Sequence, residues 1–266
     1  MAPNDTTPAT RPTESVDDLF HRRVSDRDLV RVFTEMALTP RLAYKVSTTR
    51  HRRMRTVVNS TEFRAEVRTL VRERQPDILT GARWQWPLPN VWLGATISTQ
   101  DEANAALPTL LDTVATVRWL NIQGLSTPID LPEALKRWTP STAPDQHRLP
   151  AGEVLHWIVA AGGRRPMHPD WIRTLRDHAT AAGIAFNFTG WGRWEPTQRP
   201  GDDDATAFVE RETGRRATDH DLWHISSGHW WGTRRVEAHQ VVRTIDGRTW
   251  DDHPSGHDRH IALVEF

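Results

Sequence analysis

One stretch of the chain constrains the fold more than any other. The apolar segment Leu155 to Ala161 runs into the paired glycines Gly162-Gly163. The sequence Arg165-Pro166-Met167-His168-Pro169-Asp170-Trp171 follows and opens a helical pattern that ends near Ala182, and a second apolar run, Ile184 to Phe188, closes the unit. Strand, glycine turn, helix, strand is a β-α-β unit, so two strands must lie parallel and be joined by a crossover.

The rest of the chain repeats this plan. Asp26 to Leu38 reads as a helix, capped by Ser25 or Asp26, with Leu29, Val30, Phe33 and Ala37 on one stripe and Pro40 stopping it. Leu42 to Ser47 alternates like a strand. Thr61 to Arg74 is a second amphipathic helix, capped by Thr61. Val91 to Ile97 is apolar throughout, as in a strand buried on both faces. Asp101 to Thr113 is a helix, Val117 to Ile122 a strand and Leu131 to Trp138 a short helix, followed by a loop from Thr139 to Ala151. Strands near residues 16, 43, 92, 118, 156 and 185, with helices between most of them, predict parallel α/β architecture: a partial TIM-like (β/α) barrel over residues 14–195. Residues 1–13 read as a polar tail with little to bury. Residues 196–266 are rich in His, Trp and Asp, with short β-like runs at Val241 to Ile245 and Ile261 to Phe266. They read as an irregular C-terminal extension packed on the barrel.

Composition then removes whole classes of function. Lys+Arg and Asp+Glu are both 34, so nothing draws the whole surface to nucleic acid or to an anionic membrane, although a local patch remains open. Lysine occurs only at Lys45 and Lys136. There is no cysteine, which excludes disulfides, thiolate metal sites and cysteine nucleophiles within these residues. No apolar run reaches the roughly 18 residues of a membrane span, and the N-terminal residues lack the apolar core of a signal peptide. The expected compartment is therefore the cytoplasm. Walker, Rossmann, Gly-x-Ser-x-Gly and His-Glu-x-x-His motifs are all missing.

In a parallel α/β fold the ligand end is the C-terminal end of the strands. The candidate ligand-binding residues are accordingly Arg50, Asn121, Gln123, Gly162, Gly163 and Asn187. The glycine pair admits two readings, a cradle for an anionic group or a tight turn that needs positive φ. His168-Pro169-Asp170 reads as a helix start, with Pro at the first helical position and Asp in the first turn, rather than as a catalytic histidine. The dense basic stretch from Arg41 to Arg55 is either a solvated charge run or, through Arg50, Arg52, Arg53 and Arg55, a nucleic-acid patch. His220, His224, His229, His253, His257 and His260 invite a metal reading, but His-Pro-Ser-Gly within 253–257 is a turn rather than a helix, and no Glu follows His220. No metal ligand and no catalytic residue is assigned.

Several blocks carry a resemblance: Asp18-Leu19-Phe20-His21, Met36-Ala37-Leu38-Thr39-Pro40, Pro87-Leu88-Pro89-Asn90-Val91-Trp92-Leu93-Gly94, Pro128-Ile129-Asp130-Leu131, Arg165 to Trp171, Trp191-Gly192 and Asp246-Gly247-Arg248-Thr249-Trp250-Asp251. In this order, over residues 14–255, the chain resembles the phage gp-thirty-seven/gp-sixty-eight family, a domain of unknown function. The resemblance implies a radical-SAM-like partial barrel, an N-terminal segment with three cysteines, a [4Fe–4S] cluster and S-adenosylmethionine. Here the cysteines are missing. The family's Leu-Thr-Lys-Arg stands as Ser47-Thr48-Thr49-Arg50, and its glutamate after the next strand as Ser98. Its Cys/Glu-Pro stands as Ile122-Gln123-Gly124, its Gly-Gly-Glu-Ser-Gly turn as the shortened Gly162-Gly163, and its Phe-Lys-Gln-Trp-Gly as Phe188-Thr189-Gly190-Trp191-Gly192.

Ligand-facing polar groups are thus replaced while turns, caps and core are kept. The leading expectation is a degenerate, non-catalytic homologue that binds a small molecule or a protein in the old cleft without a cofactor. One alternative is a radical-SAM-type enzyme, acting on nucleic acid, whose true start lies upstream. Another is a nucleic-acid-binding accessory protein that uses Arg41–Arg55.

Overall fold

The computed structural model describes residues 18–76, 84–138, 151–197, 204–218, 220–221, 225, 229–237, 241–254 and 262–265. The N-terminal half alternates as its periodicity predicts: α1 (Asp26–Leu38), β1 (Leu42–Thr48), α2 (His51–Val58), α3 (Thr61–Arg74), β2 (Val91–Ile97), α4 (Gln100–Leu111) and β3 (Val117–Gln123). After these come α5 (Leu131–Lys136), α6 (Ala151–Val154), β4 (Trp157–Ala161), α7 (Pro169–Ala181) and β5 (Ala185–Gly190). Ser25 caps α1 by accepting from the Asp28 N–H, and the α1 stripe of Leu29, Val30, Phe33 and Met36 is buried. Three elements depart from expectation. The cap of α3 is Ser60, which accepts from the Phe63 N–H, not Thr61. The end of the Arg41–Arg55 stretch, from His51, is helix α2. Residues 18–24 form turns, so no strand stands at 18–21, and the remainder of that expected strand and the 139–150 loop lie outside the described residues.

The main sheet has the order β11-β1-β2-β3-β4-β5, with every pairing parallel. Neighbours in space are neighbours in sequence from β1 to β5, so each crossover moves one position in one direction. With right-handed crossovers this puts the helices on a single face. Burial agrees. Tyr44, Val46, Leu93, Ala95, Leu120, Ile122, Ile158, Phe186 and Phe188 join the helices in one large core. The opposite parity, Ala43, Trp92, Val117, Trp119, Trp157 and Val159, forms a separate cluster on the helix-free face. Asn90 fastens the entry to this sheet, because its side-chain amide donates to the carbonyls of Met36 (2.9 Å), Thr39 (3.3 Å) and Leu42 (3.0 Å).

The C-terminal region is more than an irregular appendix. β6 (Trp194–Pro196), β8 (Trp230–Arg235) and β7 (Ala207–Glu210) form an antiparallel sheet. β9 (Thr244–Ile245) and β10 (Arg248–Thr249) form a hairpin turning on Asp246 and Gly247, both at positive φ (53° and 78°), as a type I′ turn requires. Asp246 accepts from Arg173 and Arg176 of α7, which docks the hairpin on that helix. The chain then covers both margins of the main sheet. The Phe188 N–H donates to the Trp250 carbonyl and the Asp252 N–H to the Phe186 carbonyl along β5, while β11 (Ala262–Glu265) pairs with β1. Of the expected 241–245 strand only Thr244–Ile245 forms. Among the described residues no helix is long and apolar enough to cross a membrane.

Candidate functional site

A cleft of about 380 Å³ opens where the C-terminal ends of β2, β3 and β4 meet. Ser98 follows β2, Gln123 ends β3, Gly124 to Ser126 turn away from it, and Gly163 to Pro166 lead from β4 towards α7. Arg216 closes the far side from the segment after β7. Three of the lining groups, Arg164, Arg165 and Arg216, are exposed guanidiniums, and no carboxylate pairs with them among the described residues. The pKa of Arg216 is lowered, first by partial burial and then by the positive charge of Arg165. The lining contains no carboxylate, imidazole, amine, thiol or phenol. The Ser98 hydroxyl donates to Glu102, which belongs to the N-terminal turn of α4, and the Ser126 hydroxyl donates to the Gly124 carbonyl.

The glycine pair builds one wall, and the positive-φ reading of it does not hold. Neither Gly162 nor Gly163 has positive φ. They are glycines because three strand-end loops touch backbone to backbone. A Cβ on Gly162 would lie 1.9 Å from the Trp191 carbonyl oxygen, and one on Gly163 would lie 2.9 Å from the Gly124 Cα. The Gly162 N–H donates to the Gly190 carbonyl at 2.7 Å and the Gly124 N–H to the Ala161 carbonyl at 2.8 Å. Positive φ occurs at the partners Gly124 (63°) and Gly192 (71°). Gly163 lines the cleft, whereas Gly162 is packed behind it.

From Gln123 a polar ladder descends the helix-free face. The Gln123 side-chain amide donates to Asn121 Oδ1 (2.7 Å), and Asn121 Nδ2 donates to Ser47 Oγ (3.1 Å) and more weakly to Thr96 Oγ1 (3.5 Å). Asn121 and Asn187 each stand opposite Val159 in the sheet register. Asn187 is only 7% exposed, and its Oδ1 has no hydrogen-bond partner among the described residues. Beneath lies an aromatic floor, in which Lys45, also 7% exposed, places Nζ 5.3 Å from the Trp119 ring centre and 5.0 Å from that of Trp157. Gly94 leaves room for Trp119, since a Cβ there would fall 2.6 Å from the indole. The sequence places Lys45 in a basic stretch; its strand parity with Ala43 and Ser47 is the signal that assigns it to this face.

The basic stretch itself is largely engaged in structure. Arg50 pairs with Asp18 at 2.7 Å. Arg53 donates to the carbonyls of His21 (2.5 Å) and Val24 (2.6 Å) and to Asp26 (2.8 Å), and Arg55 pairs with Asp112 at 3.4 Å. The Arg50 and Arg53 contacts hold residues 18–26 against the start of α2, and Arg55 ties α2 to the end of α4. Of the four, Arg52 alone lacks such a partner among the described residues. Of the histidines, 224, 257 and 260 lie outside the described residues, and among those described no group of three His, Asp or Glu is placed to hold a metal.

His168 is a cap. Its Nδ1 accepts from the Asp170 N–H (3.0 Å), its Nε2 lies 2.8 Å from the Arg211 carbonyl, and its ring stacks on Trp171. An acceptor Nδ1 requires the neutral ring, with Nε2–H as donor. Burial is the main cause that holds its pKa below the ordinary imidazole value of about 6.5. A depressed base pKa stabilises the fold above the unfolded-state value, and this stability is lost as pH falls from there through the folded-state value. The urea midpoint of the parent protein is therefore expected to fall between pH 8 and pH 5.5 by more than that of His168→Asn, which keeps a capping acceptor and does not titrate. Equal falls would contradict the assignment.

A second groove of about 510 Å³ runs between α4 and α5, and its Asp130 and Thr99 already serve as helix caps. Among comparisons with known proteins, a family model described as "Protein of unknown function (DUF5131)" matches residues 5–254. No curated protein and no solved structure matches the chain.

Proposed function

Since the chain belongs to the DUF5131 family of proteins of unknown function, we propose a role read from the cleft itself: a non-catalytic binder that holds an anionic group, phosphate or carboxylate, at the C-terminal ends of β2–β4. The observation that carries this is the trio Arg164, Arg165 and Arg216 with no carboxylate among the lining residues. Guanidinium groups bind oxyanions through paired, charge-assisted hydrogen bonds, and the Gln123 side-chain amide adds a neutral donor. Binding is the chemistry on offer, because proton transfer needs a group that titrates in reach of the ligand, and the lining supplies none.

The frame is, on this reading, a partial barrel descended from a phage radical-SAM-like protein. The sequentially wound parallel sheet and the shortened Gly162-Gly163 turn support that descent. The residues do not fit the family's cluster. Three thiolates are needed, the chain has no cysteine, and no group of three other ligands replaces them among the described residues. The strand-end residue Arg50, which keeps the family's arginine, is spent on Asp18.

Calorimetric titration with inorganic phosphate and with a nucleoside monophosphate tests the binding. We expect saturable binding that the double variant Arg165→Ala/Arg216→Ala weakens by about 100-fold, the loss of two charge-assisted contacts at about 1.5 kcal/mol each. Arg52→Ala is expected to leave it unchanged. Absence of binding, or equal binding by the double variant, would overturn the reading.

A further inference from the structure

We propose that the arginine cleft is one end of a track for single-stranded nucleic acid, which continues over Arg193, Trp194 and Arg235. The inference rests on the anion-binding reading above and extends it to a ligand class. Its starting point is a cluster of arginines without carboxylate partners among the described residues. The chain is neutral overall, with 34 basic and 34 acidic residues, yet five exposed arginines around this one edge, Arg164, Arg165, Arg193, Arg216 and Arg235, have no carboxylate partner among the described residues. Two arginines close by are paired. Arg234, in the same strand as Arg235, meets Glu195 at 2.8 Å, and Arg215, beside Arg216, meets Asp221 at 2.7 Å. Among the described residues, Arg215 and Arg234 thus have carboxylate partners, whereas these five have none.

Backbone contacts make the five one surface. The Arg193 N–H donates to the Gly163 carbonyl (3.3 Å) and the Trp194 indole N–H to the Arg164 carbonyl (3.0 Å). Trp194 stands opposite Arg235 in the β6–β8 register, and the Val236 N–H donates to the Arg193 carbonyl (3.0 Å). Across the cleft, Arg216 senses the charge of Arg165. A line from Arg216 through the cleft to Arg235 therefore passes guanidinium groups on both sides of a half-buried tryptophan.

Charge and shape select the occupant. Phosphodiesters repeat one negative charge per nucleotide, which matches spaced arginines, and bases stack on aromatic rings of the kind Trp194 presents. A recess of about 380 Å³ between loops accepts one phosphate with part of its sugar. A duplex carries its phosphates on a wide convex rod and does not enter such a recess. An acidic protein would satisfy the arginines but has no use for the ring.

Fluorescence anisotropy with a labelled oligothymidylate of about 20 nucleotides reads this out. The expected result is binding whose logarithm falls with the logarithm of salt at a slope of about −3.5, five contacts at about 0.7 each. Arg193→Ala/Arg235→Ala, which lies outside the cleft, should weaken the oligonucleotide at least about tenfold and leave inorganic phosphate binding unchanged. Trp194→Leu should cost about tenfold, with Trp194→Phe restoring most of it. Arg52→Glu should change nothing. If phosphate binds through Arg165 and Arg216 but the oligonucleotide binds no more tightly, the track is wrong and the cleft reading stands. If neither binds, both fail. Competition by polyglutamate equal to that by the oligonucleotide, or equal binding of duplex, also overturns the proposal.

Discussion

Replacing Gly162 with alanine is expected to destabilise the protein by about 3–4 kcal/mol, lowering the thermal midpoint by about 8–12 °C. The new methyl group would meet backbone rather than a flexible side chain: the Trp191 carbonyl oxygen at 1.9 Å, its carbon at 2.2 Å and the Gly192 nitrogen at 2.9 Å. To escape, the β4 and β5 loops must separate, and the 2.7 Å bond from the Gly162 N–H to the Gly190 carbonyl goes with them. Gly183→Ala is the matched control. Its φ is +70° but nothing lies within 4 Å of the added atom, so only the left-handed strain of about 1 kcal/mol applies. Thermal melts of both variants decide the matter; a Gly162→Ala midpoint within about 2 °C of the parent would contradict the close approach. Because Gly163 shares this junction and lines the cleft, Gly162→Ala should also weaken anion binding.

Trp157→Ala is expected to cost about 4 kcal/mol and, with it, the order of the chain along β5. The indole stands on the helix-free face, on β4, beside the edge strand β5. It meets Trp92 edge-on and Trp119 at a tilt, each at 5.8 Å, and Lys45 Nζ at 5.0 Å. It also holds the C-terminal region. Its Nε1–H donates to the Asp252 carbonyl at 2.9 Å, and its ring lies 5.3 Å from that of His253. The amides of Phe188 and Asp252, bonded across the same margin, should then exchange with solvent faster than those of β1 and β2. Trp157→Phe keeps an aromatic ring and loses the hydrogen bond. It should stay folded, cost about 1.5 kcal/mol and still accelerate exchange at Asp252. Unchanged protection of both amides in the Phe variant would show that Trp157 does not tether this segment.

The local structure is legible because its causes are local. Asp26–Leu38, Thr61–Arg74 and Val91–Ile97 fall where apolar period, caps and prolines place them. The cap at His168 follows from the adjacent Pro169 and Asp170, and strand parity sorts Tyr44 and Val46 from Lys45 and Ser47. Where the reading failed, the cause was distant in sequence. The Gly162-Gly163 pair answers to Gly124 and Trp191–Gly192 on other loops, not to its own φ.

The sequence by itself determined the alternation of helices and strands, the parallel sheet that this alternation demands and the absence of any thiolate chemistry in these residues. Only the tertiary structure decided which arginines are spent and which are free. Arg50 finds Asp18 at a separation of 32 residues and Arg173 finds Asp246 at 73, whereas Arg216 comes to face Arg165 across an open cleft. Charge runs look alike along a chain because pairing depends on distance in space, and the field between two groups has no trace in sequence order. The same holds for β11, whose place beside β1 is set by an unpaired sheet edge that exists only once the sheet is built.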